Sequence, residues 1–388
     1  MSIIGWWLAS GSAANFIASM ILTIATIWHP DYTPTNWQQW LVYTGLIWLA
    51  AALNILGSRW LPYFNKFIFL LSIGTLTATV IALFVTGRHH HAPASFIFAD
   101  VTSQSGWSSQ GFAFVLAISN AVYGFLGSDC GAHLCEEIAN PSKNVPKVIL
   151  YPLVMGLLTA FPFAAALLYS ITDLTAVLNT ATGLPLLEIY YQATGSYAAA
   201  SALLALFAFC FFGCLVAVGA YLFSAASLYG LIFLGSTTAF SAMVNAAIMF
   251  LQTSCVIPQA ILLYRGRSQV LPRRYFDLGK FGAVINGTAI AWVVFLDVVY
   301  CFPIFMPVTK ENMSYVSVVC VGLVGFVIIL WFTTKRGKFT GPSINVELMN
   351  ERRLAALETE LDVAGVPETG SIARSELKGS NATTSERE

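Results

Sequence analysis

The sequence predicts an all-α polytopic membrane protein, and three observations indicate this class. First, 57% of the 388 residues are hydrophobic and only 10% are charged, whereas soluble domains have about 25% charged residues. Second, the mean hydropathy is +0.72. Third, the apolar residues form long runs instead of the alternation that a closed β-barrel shows. The formal net charge is zero, so the composition gives no indication of nucleic-acid binding.

Each predicted span follows from the length of an apolar run, because a membrane-crossing helix needs about 20 apolar residues. The uncharged run 197–234 is too long for one crossing, since its 38 residues would form a helix of about 57 Å at 1.5 Å per residue. We therefore predict two short spans there, joined by a tight turn near residues 213–219. About ten spans result, near residues 4–28, 39–57, 61–86, 112–130, 147–171, 197–216, 219–234, 237–264, 282–306 and 313–334.

The positions of Lys and Arg support ten crossings with both ends of the chain in the cytosol. With that orientation all but two of the 19 cations, Arg88 and Lys310, lie on the cytosolic side, as the positive-inside rule requires. A single crossing at 197–234 would instead place the cations of 265–280 outside. We expect a transmembrane domain at 1–338 and a polar, mostly disordered cytosolic tail at 339–388.

Residues 124–147, GFLGSDCGAHLCEEIANPSKNVPK, place ionisable side chains directly after two glycines at a span end. Each glycine weakens a helix by about 1 kcal/mol relative to alanine. A broken helix persists in a membrane only where its freed backbone groups face a cavity or protein, and transporters use such breaks to bind substrate. Asp129 is therefore a functional candidate. Alternatively, Gly124 and Gly127 serve close packing and Asp129 lies at the cytosolic interface.

The second half of this stretch has the features of a cytosolic loop. Glu136, Glu137 and Lys143 flank the sequence Asn-Pro-Ser, and we expect them to brace the loop through ion pairs. Pro146 marks the expected start of the next span, because proline is favoured in the first helical turn.

Several other side chains have simple structural interpretations. The seven cysteines lie in or beside apolar runs and are expected to be small core residues, so no metal or other cofactor is predicted. His89 to His91 lie in an outer loop, and no set of residues for catalysis is present. In-span asparagines are expected to form interhelical hydrogen bonds; they are Asn15, Asn54, Asn245 and Asn286. Asp297 also lies within a span, where it belongs to a pathway or a subunit contact or has no role in function.

Five stretches together resemble the fungal amino acid/choline permeases, a GABA permease-like family of the amino acid–polyamine–organocation superfamily. Four of them accompany the stretch above: IIGWWLASGSAANF, LGSTTAF at 234–240, the segment from Pro307 to Tyr315, and FTGP at 339–342. The resemblance covers nearly all of residues 1–342. It implies the leucine-transporter fold and secondary transport of an amino acid or related amine, such as a GABA-like amino acid or choline. The plasma membrane is the expected location, with the vacuolar membrane as an alternative.

The resemblance also assigns roles to residues of the broken span, which corresponds to the family's sixth. It implies that Asp129 couples transport to protons. It further implies an aromatic gating residue and an unwound substrate-binding segment, formed by Tyr123 and by Gly124, Phe125, Leu126 and Gly127. An aromatic face suits an ammonium group, with a cation–π attraction of about 0.5–2 kcal/mol.

Two departures from the family pattern bear on function. The chain begins at what corresponds to the family's third span, and the charged loop between the family's eighth and ninth spans is reduced to an uncharged run near 213–219. The predicted bundle is therefore an incomplete leucine-transporter-type 5+5 inverted repeat, equivalent to spans three to twelve. An alternative to a transporter is a truncated, non-transporting permease paralogue or an incomplete gene model.

Overall fold

The computed structural model is helical in all its described regular structure and describes residues 2–29, 31–87, 91–100, 103–127, 129–133, 135, 138, 140–180, 183–218, 230–232, 236–266, 278–279, 281–310, 312–336 and 338. Nine helices within these ranges are long and apolar enough to cross a membrane. The chain divides into two compact units, residues 1–327 and 328–388. In the second unit, the Arg336 guanidinium lies 5.3 Å from the centre of the Phe332 ring.

The first five spans agree closely with the predicted runs. The fourth is interrupted, and a short helix α4 at Ala94–Phe98 precedes it in an outer loop. The bounds are Ser2–Trp28 (α1), Asn36–Leu56 (α2), Leu61–Thr86 (α3), Gln110–Ala121 (α5) continued by Val122–Phe125 and Cys130–His133 (α6), and Pro141–Tyr169 (α7).

The later spans follow two short helices in the loop after α7. These are Leu174–Leu178 (α8) and Pro185–Thr194 (α9). The described spans that follow are Tyr197–Val218 (α10), Thr237–Arg265 (α11), Phe281–Val299 (α12) and Val316–Leu330 (α13), the last extended by a π-helical turn at Trp331–Lys335.

The turn predicted near residues 213–219 does not lie at Gly213, because α10 continues through this residue to Val218, and residue 219 lies outside the described residues. Gly213 serves packing instead: a β-carbon at this position would overlap the Ile68 side chain of α3. Small residues let apolar helices approach closely enough for van der Waals attraction to hold them together in lipid. The second span expected here, 219–234, lies mostly outside the described residues, of which 230–232 are helical.

The start of α7 also differs from the prediction. The helix begins at Pro141, and Pro146 lies inside it together with Pro152 and Pro162. Asn140 precedes the helix in the left-handed conformation, with a φ of 49°, and Pro141 then occupies the first turn, where its missing N–H is not needed. The helix therefore starts at Pro141 and not at Pro146, which lies in its interior.

Helix α1 lies at the centre of the bundle. It packs against α2, α10 and α11, while α3 packs against α10 and α7. Its contact faces carry small or compact side chains that are almost wholly buried, among them Ser12, Ala14 and Ala18. Because lipid is as apolar as the helix surfaces, this close packing rather than a hydrophobic driving force holds the spans together.

Two of the in-span asparagines form the interhelical hydrogen bonds that the sequence predicts. Gln39 Nε2 of α2 donates to Asn15 Oδ1 of α1 at 2.9 Å. Asn54 Nδ2 donates to the Val216 carbonyl of α10 at 3.0 Å. These bonds join α2 to α1 and to α10, and they fix the positions of these helices along their axes.

We expect Gly213→Ala to lower the free energy of unfolding by about 1–3 kcal/mol, the usual cost of overpacking a close contact. Thermal unfolding of the detergent-purified protein, followed by tryptophan fluorescence, measures the effect. Gly45→Ala is the control, since a β-carbon there meets nothing within 4 Å. Adding Ile68→Ala should make the combined loss smaller than the sum of the single losses; strictly additive losses would contradict the contact.

Candidate substrate site

The fourth span is broken near its middle, and the backbone angles explain how. Helix α5 ends at Ala121, a 3₁₀ turn covers Val122–Phe125, and α6 begins only at Cys130. Between them Gly127 has a φ of +90°, in a region that residues with a β-carbon rarely adopt. The break therefore depends on glycine at this position, and it interrupts the helical hydrogen bonds within the membrane.

Side chains of two other spans hold the broken segment on either side. The Tyr123 hydroxyl lies 2.7 Å from Ser12 Oγ of α1, and its ring packs edge-on against Phe16 with 5.7 Å between ring centres. On α12's side, the buried Tyr300 hydroxyl donates to the Ser119 carbonyl at 2.8 Å. Ser119 lies in the last turn of α5, and its carbonyl also accepts the Val122 N–H, so Tyr300 is a second donor to a backbone oxygen directly before the break.

An apolar groove runs between the broken segment and α7. Its volume is about 520 Å³, within the 300–1,000 Å³ typical of small-molecule sites. The broken span contributes Ala121 and the segment Gly124–Gly127. The facing wall consists of Pro152, Leu153, Gly156, Leu157, Ala160 and Phe161. All these side chains are apolar, so polar contacts to a ligand would have to come from the interrupted backbone.

Four of the five residues predicted to bind substrate line this groove, and the fifth does not. Gly124, Phe125, Leu126 and Gly127 are among the lining residues. Tyr123 instead faces α1, where its hydroxyl contacts Ser12. The structure therefore separates the predicted gating residue from the predicted binding segment.

Asp129 lies on the inner side of the break and is absent from the residues that line the groove. Its Oδ2 is 3.1 Å from His133 Nε2, and the Cys255 thiol of α11 points to the same oxygen at 3.9 Å. The His133 ring in turn meets Trp6 of α1 edge-on. The Asp129 side chain is 24% exposed and that of His133 is 54% exposed, so His133 is the more accessible member of the pair.

The predicted loop-bracing residues are only partly covered by the structure. Glu136 and Glu137 lie outside the described residues. Lys143 is exposed in the first turn of α7, and its backbone N–H bonds to the Asn140 carbonyl at 3.1 Å. Bracing of this loop by ion pairs therefore stays a prediction.

Sequence reasoning missed the partners of the broken segment. The i,i+4 spacing of Asp129 and His133 is the spacing of paired side chains on a helix, and it is the signal that could have indicated their contact. Pro152 and Gly156 of α7 are also four residues apart, and both line the groove. Ser12 and Phe16 carried no signal of their own, because their role depends on how α1 packs.

Gly127→Ala is expected to lower the free energy of unfolding by about 1–2 kcal/mol, because alanine must adopt a left-handed conformation there. Space is not the cause, since the nearest atom to an added β-carbon lies at 3.7 Å. Gly124→Ala provides the control, because Gly124 lies in the 3₁₀ turn with nothing within 4 Å of an added β-carbon. Thermal unfolding in detergent measures both variants, and an equal loss in both would contradict this account of the break.

Comparison with known proteins identifies the family. The sequence profile described as "Amino acid permease" matches residues 1–226. The choline transporter of Saccharomyces cerevisiae is 30% identical over 92% of this chain and 72% of its own length. The amino-acid permease 2 of Neurospora crassa is 26% identical over 86% and 68%, and the 7-keto 8-aminopelargonic acid transporter of S. cerevisiae is 26% identical over 84% and 68%.

These similarities extend over most of the chain and agree with its many apolar helices. The matched family and relatives are all named as permeases or transporters, so the chain is a transport protein and not an enzyme. It is a multi-pass membrane protein of the amino acid permease family, whose substrates are small amino acids or amines.

Proposed function

We propose that this chain is a proton-coupled secondary transporter. Its proposed substrate is a small organic amine of the choline or GABA-like amino acid class. One observation carries the proposal: the fourth span breaks at mid-membrane, and the broken segment forms one wall of a groove of about 520 Å³. A broken helix beside a cavity is the usual way in which transporters present backbone dipoles to a substrate.

The chemistry of the groove favours an amine with an apolar body. Phe125 and Phe161 place aromatic rings on opposite walls, and ring faces attract quaternary or primary ammonium groups by about 0.5–2 kcal/mol. The interrupted backbone near Gly127 offers amide groups for a carboxylate or hydroxyl. The choline transporter of S. cerevisiae is named for such a substrate, and choline is accordingly the substrate that we test first.

Asp129 is proposed to couple transport to protons. It lies just after the break and shares its carboxylate with His133 at 3.1 Å. Ionisable side chains within membrane spans are the groups from which transporters build proton relays. A proton taken up here would change the charge directly beneath the groove, and the more exposed His133 gives the pair access to the cytosolic side.

Three further assignments belong to the same proposal. The transmembrane domain covers residues 1–338, equivalent to spans three to twelve of the family, and residues 339–388 form a cytosolic tail. The plasma membrane is the proposed location, in keeping with uptake of an external amine. Lys143, with Glu136 and Glu137, is proposed to brace the loop before α7.

A substitution that fills the groove tests whether the groove binds the substrate. Gly156→Leu should reduce uptake of labelled choline by roughly tenfold, equivalent to about 1.4 kcal/mol, because the added side chain projects into the groove without meeting any atom within 4 Å at its β-carbon. Uptake is measured in yeast cells lacking their own choline transporter, with surface expression matched by fluorescent tagging.

Gly74→Leu is the matched control, since Gly74 lies in α3 with nothing near an added β-carbon and outside the groove. Equal uptake by both variants would refute the groove as the substrate site. Competition by unlabelled GABA or other amino acids ranks the alternative substrates. No uptake of any of these compounds by the well-expressed chain would favour a non-transporting paralogue.

Proton coupling is tested by Asp129→Asn. A gradient of one pH unit supplies about 1.4 kcal/mol per proton, so a carrier that moves one proton per substrate accumulates it up to about tenfold. We expect Asp129→Asn to abolish accumulation while leaving exchange of internal for external substrate measurable. Asp173→Asn is the control, because Asp173 caps α8 outside the groove and asparagine caps equally well. Unchanged accumulation and pH dependence in Asp129→Asn would disprove this role.

A further inference from the structure

A second carboxyl group within a span, that of Asp297, has no charged partner among the residues that the structure describes. Asp297 lies on α12, and its Oδ2 accepts a hydrogen bond from Thr253 Oγ1 of α11 at 2.9 Å. Its other oxygen, Oδ1, is sealed from solvent and has no hydrogen-bond partner among the described residues. One half of the carboxyl group is therefore satisfied and the other half is buried without a donor.

Asp297 lies in the last turn of α12, which ends at Val299, and its partner Thr253 lies near the middle of Thr237–Arg265. Tyr300 continues the helical turn after Asp297, since its N–H bonds to the Leu296 carbonyl at 2.9 Å. The Tyr300 hydroxyl reaches Ser119, in the last turn before the break in the fourth span. Asp297 is therefore linked to the broken span through the next turn of its own helix.

The surroundings of Asp297 offer little to stabilise a negative charge. The titratable groups that face it are Tyr300 and Cys301 on its own helix and Cys320 on α13. The packed faces of α11 and α5 contribute Thr253 and Ser119, which do not titrate. Among the described residues, Asp297 is not part of an ion pair, whereas Asp129 pairs with His133.

A carboxylate in this setting is unfavourable for a simple reason. An ionised group buried in an apolar medium must be paired or hydrogen-bonded, and otherwise it takes up a proton. A neutral carboxylic acid still accepts the bond from Thr253, and its remaining hydroxyl costs far less to bury than a charge. The geometry at Oδ1 therefore favours the protonated form.

We propose that Asp297 is a proton-binding site in the membrane, separate from the Asp129–His133 pair, and holds its proton at neutral pH. Its connection to function runs through Tyr300, which lies one turn away and bonds to the backbone directly before the break. A change in the charge of Asp297 acts on the helical turn that positions this hydroxyl. The site goes beyond the proposed transport activity, because proton occupancy of Asp297 does not require that the chain transports anything.

The test is infrared difference spectroscopy of the purified protein in detergent or lipid, recorded against Asp297→Asn at neutral pH. A protonated aspartic acid has a carbonyl stretch that neither a carboxylate nor an amide shares. We expect this band in the wild-type protein and its loss in Asp297→Asn. Asp129→Asn is the matched control and should retain the band, because the Asp297 carboxyl group and its bond from Thr253 are unchanged in that variant.

Thr253→Val supplies a second, nearly isosteric variant that keeps the carboxyl group. Because Thr253 donates to Asp297 Oδ2, removing its hydroxyl should shift the frequency of the same band without abolishing it. This measurement remains informative if Asp297→Asn does not fold. Absence of an acid band at neutral pH in the wild-type protein, or an identical band in Thr253→Val, would overturn the proposal.

The spectroscopic result is independent of the uptake measurements. A band assigned to Asp297 in a protein that shows no uptake would support the proton site and refute the proposed transport. Uptake and accumulation without such a band would support transport and refute the site at Asp297.

Discussion

The constraint on which the structure depends is that backbone N–H and C=O groups within the bilayer must be hydrogen-bonded inside the protein. Every described span satisfies it as a helix, and the fourth span meets it in a second way. Where its helix is interrupted at Val122–Phe125, the Tyr300 hydroxyl bonds to the Ser119 carbonyl. The hydroxyl is a second donor to this carbonyl, which also accepts the Val122 N–H. The contact links the broken span to Tyr300, 181 residues further along the chain.

The shape of the groove follows from the same constraint. The broken span and α7 do not pack tightly, because glycine and proline residues on both sides remove side-chain volume and interrupt regular helical packing. Pro146, Pro152 and Pro162 lie within α7, and prolines are tolerated in membrane helices where neighbouring groups re-satisfy the backbone. A cavity between two irregular spans is thus a direct result of residues that weaken helices, placed where the bundle can support them.

The two in-membrane carboxyl groups have opposite environments. Asp129 is partly exposed, beside an imidazole and a thiol at the inner side of the break. Asp297 accepts a bond from a single hydroxyl, and its other carboxyl oxygen is buried without a partner among the described residues. Asp129 lies on the broken span itself. Asp297 lies one helical turn before Tyr300, whose hydroxyl bonds to the broken span. The charge state of either residue can therefore act on the groove by local contacts, without a long chain of intermediates.

The sequence determined nine of the ten predicted spans among the described residues, most of their approximate ends, and the location of the break. It could do so because lipid allows only helices of a certain length and because Gly124 and Gly127 weaken the fourth span irrespective of their neighbours. It failed at Gly213 and Pro146, where local turn and start signals gave way to packing against Ile68 and to an earlier start at Pro141. Only the tertiary structure decided that Tyr123 faces α1, that Asp129 pairs with His133, and that Asp297 bonds to Thr253. In an apolar bundle such contacts depend on which small residues let two helices approach, and these residues are far apart in the sequence.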